Sequence, residues 1–380
     1  MKSVKKIRGL KGMTVLVRAA LNVPVEHGTV QGDFRLQSAL PTITYLQKKG
    51  ARVVLLGHIG DTGTETLRPV YTALKKYIPH LLFSDVTVGK EALDAVGRMS
   101  NGDVLMLENV RRLQGEKRND PHIAAELSRL GEVFIQDSFD VCHRPHASVV
   151  GVPEHLPSYA GFLVEKEVKG LSKAFSPKSP ALAVIAGSKF STKEPVLHAL
   201  LSEYRHVFVG GALANDLLKV EGYDVADSLV SGGDVVAMRE VVHNKKLLLP
   251  VDALAAPIDG DRDEAELVSV SSVPSGKAIL DIGPETMRLL TPHIKKARTI
   301  VWNGTLGKYE TGFMDGTSEL AKAIAASKAH SIVGGGDTVA ALDMLGLRDK
   351  FSFVSTGGGA MLEYLAHGTL PGLAALERRR

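Results

Sequence analysis

Short apolar runs alternate with longer amphipathic stretches along this 380-residue chain. Runs such as ARVVLLGH and GEVFIQDSF fit buried strands, whereas DPHIAAELSRLG fits a surface helix with Asp120 as N-cap and Pro121 at the first helical position. Strands that alternate with helices predict βαβ units and a parallel sheet. A chain of this length exceeds what one hydrophobic core usually serves. We therefore expect two doubly wound α/β domains.

The boundary between the two domains is predicted from a helix-like stretch. The segment SYAGFLVEKEVKGLSKAF, from Ser158 to Phe175, joins the last strand group of one half to the first strand group of the other. We expect a first domain at 1–160, a hinge helix at 161–175, a second domain at 176–364 and a C-terminal segment at 365–380.

Three apolar runs near the C-terminus break off into glycines and small polar residues. These runs are TIVWNGTLGKYE, SIVGGGDT and FSFVSTGGGA. Ligands of open α/β sheets bind at the carboxyl ends of the strands, and glycines there let backbone N–H groups approach a phosphate. The second half therefore indicates a nucleotide site. The P-loop pattern GxxxxGK followed by Ser or Thr and the dinucleotide pattern GxGxxG are both missing from the sequence.

Basic and polar side chains follow the predicted strands of the first half. They are Arg18, Asn22, Arg35, His58, Arg111, His143, Arg144 and His146, and Arg35 is expected in the loop region after the first strand. Arginine forks match the oxygens of phosphates and carboxylates. Gathered at one sheet edge, these side chains would form a basic pocket for a small anion.

Composition excludes several other classes of function. The net charge of +4 is small and its basic residues are dispersed, so neither a nucleic acid nor a membrane is expected as a partner. The apolar stretch from Met13 to Val25 is interrupted by Arg18 and Asn22, which argues against a signal peptide or a membrane span. A single cysteine, Cys142, allows no intramolecular disulfide, and we expect a cytoplasmic protein.

Motifs in both halves identify a family. In the first half, VRAALNVP resembles VRxDxNVP, GHIGD resembles SHLGR, LENVRR resembles LENxRF, and DSFDVCHRPHAS resembles DAFGxxHRAHAS. In the second half, AGSKFSTK resembles GGAKVSDK and WNGTLGKYE resembles WNGPxGxFE, while VGGGDT and STGGGAMLE match almost letter for letter. Nearly the whole chain thus resembles the phosphoglycerate kinase family. The resemblance implies two Rossmann-like domains joined by a hinge, a monomer, and a C-terminal segment that returns to the first domain.

The resemblance also implies roles for individual residues. The nucleotide-site positions are Gly187, Lys189, Lys193, Gly210, Gly211, Asn303, Glu310, Gly335, Gly336, Asp337 and Thr338. Among them, Asp337 matches the aspartate linked to Mg²⁺ and Glu310 the residue at the ribose hydroxyls. Those expected to face the transferring phosphoryl group are Arg35, Lys189, Lys193, Gly357 and Gly358. Thr305 and Ala186 are modest departures from a proline and a glycine of the family.

The acceptor half departs further from the family pattern. Ala20 stands where the family has a substrate-binding aspartate, Asp61 where it has a phosphate-binding arginine, and Asp140 where it has a glycine. The leading hypothesis is reversible transfer of a phosphoryl group from MgATP to 3-phosphoglycerate with weakened acceptor binding. Two alternatives stay open: a kinase of this fold that acts on a different anionic acceptor, and a catalytically silent nucleotide-binding protein.

Overall fold

Alternate residues of the central strands are buried on opposite faces of a parallel sheet. In the computed structural model, which describes residues 1–377, Val15 and Val17 pack into one apolar cluster while Leu16, between them, packs into another. A sheet buried on both faces needs continuous apolar strands, and TVLVRA is buried at every position. Contacts divide the chain into two units: Met1–Lys169 with the segment that begins at Thr369, and Gly170–Gly368.

The first unit holds the N-terminal strands and helices. Its strands are β1 (Thr14–Ala19), β2 (Val25–Glu26), β3 (Thr29–Val30), β4 (Arg52–Leu56), β5 (Leu81–Ser84), β6 (Val104–Leu107), β7 (Val133–Asp137) and β8 (Ser158–Ala160). Its helices are α1 (Phe34–Lys48), α2 (Arg68–Leu74), α3 (Lys90–Gly97) and α4 (Pro121–Ser128), followed by α5 (Phe162–Phe175), which continues into the second unit. The main sheet is parallel with the order β5-β6-β4-β1-β7-β8, and β2 and β3 form a separate short hairpin.

The second unit repeats this layered arrangement. Its strands are β9 (Ala181–Ala186), β10 (His206–Gly210), β11 (Leu247–Leu248), β12 (Asp252–Ala256), β13 (Glu266–Ser269), β14 (Ala278–Ile282), β15 (Thr299–Asn303), β16 (His330–Gly334) and β17 (Phe353–Val354). Its helices are α6 (Glu194–Glu203), α7 (Ala212–Glu221), α8 (Val235–Val242), α9 (Pro284–Lys296), α10 (Asp315–Ala325), α11 (Gly336–Met344) and α12 (Gly359–His367). The main sheet is again parallel, with the order β11-β10-β9-β15-β16-β17.

The described C-terminal residues belong to the first unit. Helix α13 (Pro371–Ala375) follows the second unit, and the backbone N–H of Gly372 donates to the carbonyl of Cys142 at 2.8 Å. A Cβ at Gly372 would lie 2.9 Å from a methyl carbon of Val149, so this close packing requires glycine. The N-terminal ammonium of Met1 lies 3.3 Å from the carboxylate of Glu377.

The parallel α/β sheets and the cap of α4 confirm two sequence-based expectations. Both main sheets are parallel and α/β, and Asp120 caps α4, accepting a hydrogen bond from the N–H of His122 at 2.8 Å. None of the described helices is long and apolar enough to cross a membrane. The division between the units falls within α5, between Lys169 and Gly170. The domain limits at 160, 175 and 364 stay predictions.

Other expectations were wrong in detail. The stretch from Ser158 is not helical throughout, because residues 158–160 form the edge strand β8 beside β7. Helix α5 starts only at Phe162, where Asp137 accepts a hydrogen bond from the N–H of Leu163 at 2.9 Å. The small antiparallel sheet β13-β12-β14 was not predicted at all. Arg35 lies in the first turn of α1 and not in a loop.

Candidate functional site

The carboxyl edge of the first sheet gathers the basic residues predicted from the sequence. Arg18 is the penultimate residue of β1, and Asn22 follows the strand. His58 follows β4, Arg111 follows β6, and the three residues His143, Arg144 and His146 follow β7. Because β6, β4, β1 and β7 are parallel neighbours, their carboxyl ends meet at one edge. Arg35 reaches the same edge from α1, where it donates a hydrogen bond to the carbonyl of Asn22.

Arg18 is held in a buried network. Its Nε donates to Ser148 Oγ at 2.9 Å, and a terminal nitrogen donates to His58 Nδ1 at 3.0 Å. Ser148 Oγ in turn donates to Glu116 Oε1 at 2.5 Å. Burial and the neighbouring Arg18 hold the pKa of His58 well below its usual range, so this imidazole is neutral at pH 7. The network fixes Arg18 and supplies a buried carboxylate, Glu116, to balance it.

A cleft of about 630 Å³ lies at the loops after β1 and β4, and two of the eight predicted residues, Asn22 and Arg35, line it. Its lining includes Asn22, Arg35, Gly60, Asp61 and Glu65. Asn22 Oδ1 accepts a hydrogen bond from the N–H of Gly60 at 3.1 Å, which ties the loop after β1 to the loop after β4. The cleft is large enough for a small metabolite.

The acidic residues that depart from the family pattern contact the arginines. Asp61 Oδ1 lies 2.5 Å from a terminal nitrogen of Arg111 and 3.8 Å from one of Arg144. Asp140 Oδ2 lies 4.0 Å from a terminal nitrogen of Arg35. Arg111 is buried, whereas the side chain of Asp61 is 80% exposed. The protein's own carboxylates, Asp61 and Asp140, therefore neutralise part of the positive charge at this edge.

The remaining two histidines complete the cluster. Arg144 Nε donates to His143 Nε2 at 3.4 Å, and His146 Nδ1 lies 3.8 Å from Glu116 Oε1. Burial, together with Arg18, Arg144, Arg111 and Lys117, lowers the pKa of His146 to about 4. The imidazole of His146 is therefore neutral at pH 7 and forms no ion pair with Glu116. Contacts join the eight predicted residues in two groups. Arg18, His58 and His146 are joined through Ser148 and Glu116, and the other five through Gly60 and Asp61: Asn22, Arg35, Arg111, His143 and Arg144.

The lowered pKa of His146 predicts a pH-dependent loss of stability. Between pH 4 and its ordinary pKa of 6.5, the imidazole binds a proton in the unfolded chain but not in the folded protein. The stabilisation present above pH 6.5 is therefore lost as the pH falls towards 4. We compare the free energy of unfolding of the wild type with that of His146→Gln. The wild-type value minus the variant value should fall by up to about 3 kcal/mol between pH 7 and pH 4.

Urea unfolding of both proteins across this range measures the effect. Carboxylates that titrate in the same window are common to the two proteins and cancel in the difference. Wild type minus His80→Gln, at an exposed histidine elsewhere in the unit, is the comparison for the loss of one imidazole. The same pH dependence for His146→Gln as for His80→Gln would contradict the assignment.

Glycines, two lysines and an aspartate surround a second cavity, in the second unit. The cavity of about 320 Å³ lies beyond the carboxyl ends of β9, β15 and β16. Its lining comprises Ala186, Gly187, Ser188, Lys189, Thr192, Lys193, Asn303, Gly304, Thr305, Gly335, Gly336, Asp337, Thr338, Gly358, Gly359 and Leu362. Most of the predicted nucleotide-site residues therefore lie together.

Two helices begin at this cavity. Gly335 precedes α11 with φ +109°, and Gly358 precedes α12 with φ +49°, conformations that favour glycine. The first turn of a helix presents free N–H groups and a partial positive charge, which favours a bound anion. Asn303 Nδ2 donates to the Gly334 carbonyl at 2.9 Å, and Gly304 N–H donates to Thr338 Oγ1 at 2.8 Å. These hydrogen bonds hold the ends of β15 and β16 beside α11.

Lys193 lies at the start of α6 and is half-buried. A Cβ at Gly187 would lie only 3.2 Å from Lys193 Cε, so the glycine leaves room for the lysine chain. Burial lowers the pKa of Lys193 from its ordinary value. Lys189, four residues earlier, is exposed on the same cavity. An anion in the cavity would recover charge interactions that Lys193 loses on burial.

Four predicted residues lie outside this cavity lining in the described part of the chain. Gly210 and Gly211 sit at the end of β10, and a Cβ at Gly211 would lie 3.2 Å from the backbone nitrogen of Gly187. Glu310 is exposed on the short turn after β15. Gly357 precedes Gly358, and its N–H donates to Ser355 Oγ at 3.0 Å.

Asp337 fits a magnesium ion that is shared with a bound phosphate. Its carboxylate is exposed in the first turn of α11 and accepts a hydrogen bond from the Tyr309 hydroxyl at 3.3 Å. Within residues 1–377 no group of three or more acidic, histidine or cysteine side chains could hold a metal alone. Mg²⁺ usually binds through one or two carboxylates together with waters and substrate phosphates, so one aspartate is a sufficient protein donor set.

Comparisons with known proteins agree with this geometry. The family model described as phosphoglycerate kinase matches residues 4–368. The phosphoglycerate kinase of Thermus thermophilus is 42% identical over 380 residues, covering 97% of this chain and 97% of that protein. That of Borreliella afzelii is 39% identical over 390 residues, covering 99% of both.

Solved structures show the same fold. The phosphoglycerate kinase of Coxiella burnetii superposes with a TM-score of 0.83 at 36% identity, covering 98% of each chain. That of Pyrococcus horikoshii gives a TM-score of 0.88 at 29% identity, covering 99% of this chain and 98% of the other. With a family model matched over almost its full length, this chain belongs to the phosphoglycerate kinase family.

Proposed function

We propose that this chain transfers a phosphoryl group reversibly between MgATP and the carboxylate of 3-phosphoglycerate, giving 1,3-bisphosphoglycerate and ADP. One observation carries the proposal: an arginine-rich sheet edge in one unit accompanies a glycine-lined cavity with two lysines in the other. Family membership supports the same activity, a phosphotransferase with a carboxyl acceptor.

The reaction needs positive charge and little covalent help. A carboxylate acceptor is already ionised at neutral pH, so no general base is required. Phosphoryl transfer depends on positioning and on neutralising negative charge that spreads over the transferring oxygens. We assign that charge to Lys189 and Lys193 on the nucleotide side and to Arg35 on the acceptor side. Gly357 and Gly358 are assigned to the loop that faces the transferring phosphoryl group, where the Gly357 N–H would exchange its Ser355 Oγ partner for a phosphate oxygen.

The nucleotide half has the groups that its role demands. Gly187, Gly335 and Gly336 leave backbone accessible to phosphates, while Asn303 and Thr338 hold the loops in place. Gly210, Gly211 and Glu310, which lie outside the cavity lining, are assigned to the part of the nucleotide that extends beyond the cavity. Mg²⁺, held by Asp337, would neutralise phosphate charge and orient the nucleotide.

The acceptor is assigned to Arg18, Asn22, Arg35, His58, Arg111, His143, Arg144 and His146. Its affinity is weakened, because Asp61 and Asp140 already contact Arg111, Arg144 and Arg35. An incoming phosphate must compete with these carboxylates. We further propose that the protein is a cytoplasmic monomer.

A coupled assay of 3-phosphoglycerate with MgATP tests the proposal. Magnesium-dependent turnover with a high KM for 3-phosphoglycerate is the expected result. Because Asp61 pairs with Arg111 at the proposed acceptor site, the two alternatives stay open. Calorimetric titrations with MgADP and with 3-phosphoglycerate separate them. Nucleotide binding without binding of 3-phosphoglycerate would favour another anionic acceptor, and binding of both without turnover would favour a silent homologue.

A further inference from the structure

Asp61 contacts three cations that come from two loops, the one between β6 and α4 and the one after β7. Its carboxylate contacts Arg111, from the loop after β6, and Arg144, from the loop after β7. Its backbone carbonyl accepts a hydrogen bond from Lys117 Nζ. Lys117 was not among the residues predicted from the sequence, because no motif distinguishes it within GEKRND. Only the fold brings it to the acceptor edge.

The backbone that carries Lys117 is firmly anchored. Lys117 is the middle residue of a short 3-10 turn, Glu116–Arg118. The preceding Glu116 is buried and accepts hydrogen bonds from Ser148 N–H at 2.9 Å and from Ser148 Oγ at 2.5 Å. The turn ends at Asn119, whose φ of +54° reverses the chain. Lys117 is therefore held beside Asp61 by the same buried network that fixes Arg18.

The charge around Asp61 exceeds what its single carboxylate can balance. Arg111 and Arg144 contact the carboxylate and Lys117 contacts the backbone carbonyl, so three cations against one carboxylate leave a surplus of two positive charges among these groups. A phosphate monoester carries about −1.5 to −2 at pH 7, which matches this surplus. Arg111 is buried and already bonded to Gly60 and Asp61, whereas Lys117 is exposed. Its ammonium has three donors, of which the Asp61 carbonyl uses one.

We propose that Lys117 is a further acceptor-binding residue, which contacts the acceptor's phosphate and partly replaces the arginine that the family has at position 61. The inference rests on the proposed function, since it names one more contact of the same acceptor. The proposal also accounts for anion binding at a site that contains Asp61. The Asp61 carboxylate orders the cations around it, and the Lys117 ammonium has further N–H donors for the phosphate.

The test compares Lys117→Met with Arg118→Met, since Arg118 is an exposed cation on the same turn and its loss removes the same charge. The Kd for 3-phosphoglycerate is measured by calorimetry without nucleotide, and KM and kcat in the coupled assay. Lys117→Met should raise Kd and KM about fivefold to tenfold with kcat within about twofold of wild type. Arg118→Met should change neither constant by more than about twofold, and Lys117→Arg should restore the affinity.

A double-mutant cycle with Asp61→Arg sharpens the test. An arginine at position 61 would supply the missing cation, so Lys117→Met in that background should change KM by less than about twofold. Equal effects of Lys117→Met and Arg118→Met would overturn the inference. If the wild type binds 3-phosphoglycerate without turnover, the proposed activity is wrong, and the Kd values from calorimetry still decide the role of Lys117. A wild type that neither binds nor phosphorylates 3-phosphoglycerate would overturn both the proposed activity and the role of Lys117.

Discussion

Replacement of Lys193 by methionine should lower kcat by about 100-fold to 1,000-fold, the usual effect of removing one preorganised donor from a charge-stabilising site. Lys193 is half-buried beside the glycine-lined cavity, and burial has already lowered the pKa of its ammonium. Methionine keeps most of the length and apolar volume of the side chain while removing the charge. We therefore expect a loss in the transfer step and a much smaller change in stability.

Steady-state assays at saturating MgATP and 3-phosphoglycerate measure this effect. Lys219→Met is the matched control, because Lys219 is an exposed lysine near the end of α7. Its kcat should stay within about twofold of wild type, as expected for a surface substitution. If Lys193→Met kept more than about a tenth of the wild-type kcat, the role given to this lysine in phosphoryl transfer would be wrong.

Replacement of Asp61 by arginine should lower the KM for 3-phosphoglycerate by about tenfold to 100-fold. The change removes a carboxylate that lies 2.5 Å from Arg111, an arginine that we assign to the acceptor. It also adds a guanidinium, and a charge-assisted hydrogen bond contributes about 1.5–3 kcal/mol. Since the gain is in acceptor binding, kcat should change little. Position 61 suits this test better than position 20, because Ala20 is fully buried and a carboxylate there would lose its hydration.

Asp94→Arg controls for the change in net charge. Asp94 is exposed on α3 of the same unit, so this variant alters the overall charge equally without touching the acceptor edge. Initial rates over a range of 3-phosphoglycerate concentrations at fixed MgATP give the KM for 3-phosphoglycerate of Asp61→Arg and of Asp94→Arg. An unchanged KM for Asp61→Arg would mean that Asp61 is not what limits acceptor affinity. A similar fall for Asp94→Arg would assign the effect to long-range charge.

The sequence was sufficient to predict groups that follow strands, because strand ends are set by local pattern. The glycine loops at 187, 335 and 358 and the arginines at 18 and 111 follow apolar runs, so their sheet edge could be predicted without coordinates. Their roles toward ligands remain proposals. The two parallel sheets were predictable for the same reason.

Other features depend on contacts that no local pattern encodes. The loop placement of Arg35 was wrong because proline favours the first helical position, which suggests a helix start near Pro41. Helix α1 instead begins at Phe34 and contains Pro41 in its interior. The edge strand β8 is three residues long, too short to show a period. The cluster around Asp61 brings together residues 61, 111, 117 and 144, and only tertiary structure makes them neighbours.

The packing of α13 against Cys142 makes the first unit discontinuous in sequence, with the whole of the second unit inserted before its final helix. During synthesis, N-terminal regions generally fold as they emerge from the ribosome. Here the first unit emerges first but lacks α13 until the second unit has been synthesised, whereas the second unit is one uninterrupted segment. The site that Gly372 occupies beside Cys142 and Val149 therefore stays open on the nascent chain until the residues of the second unit have been added.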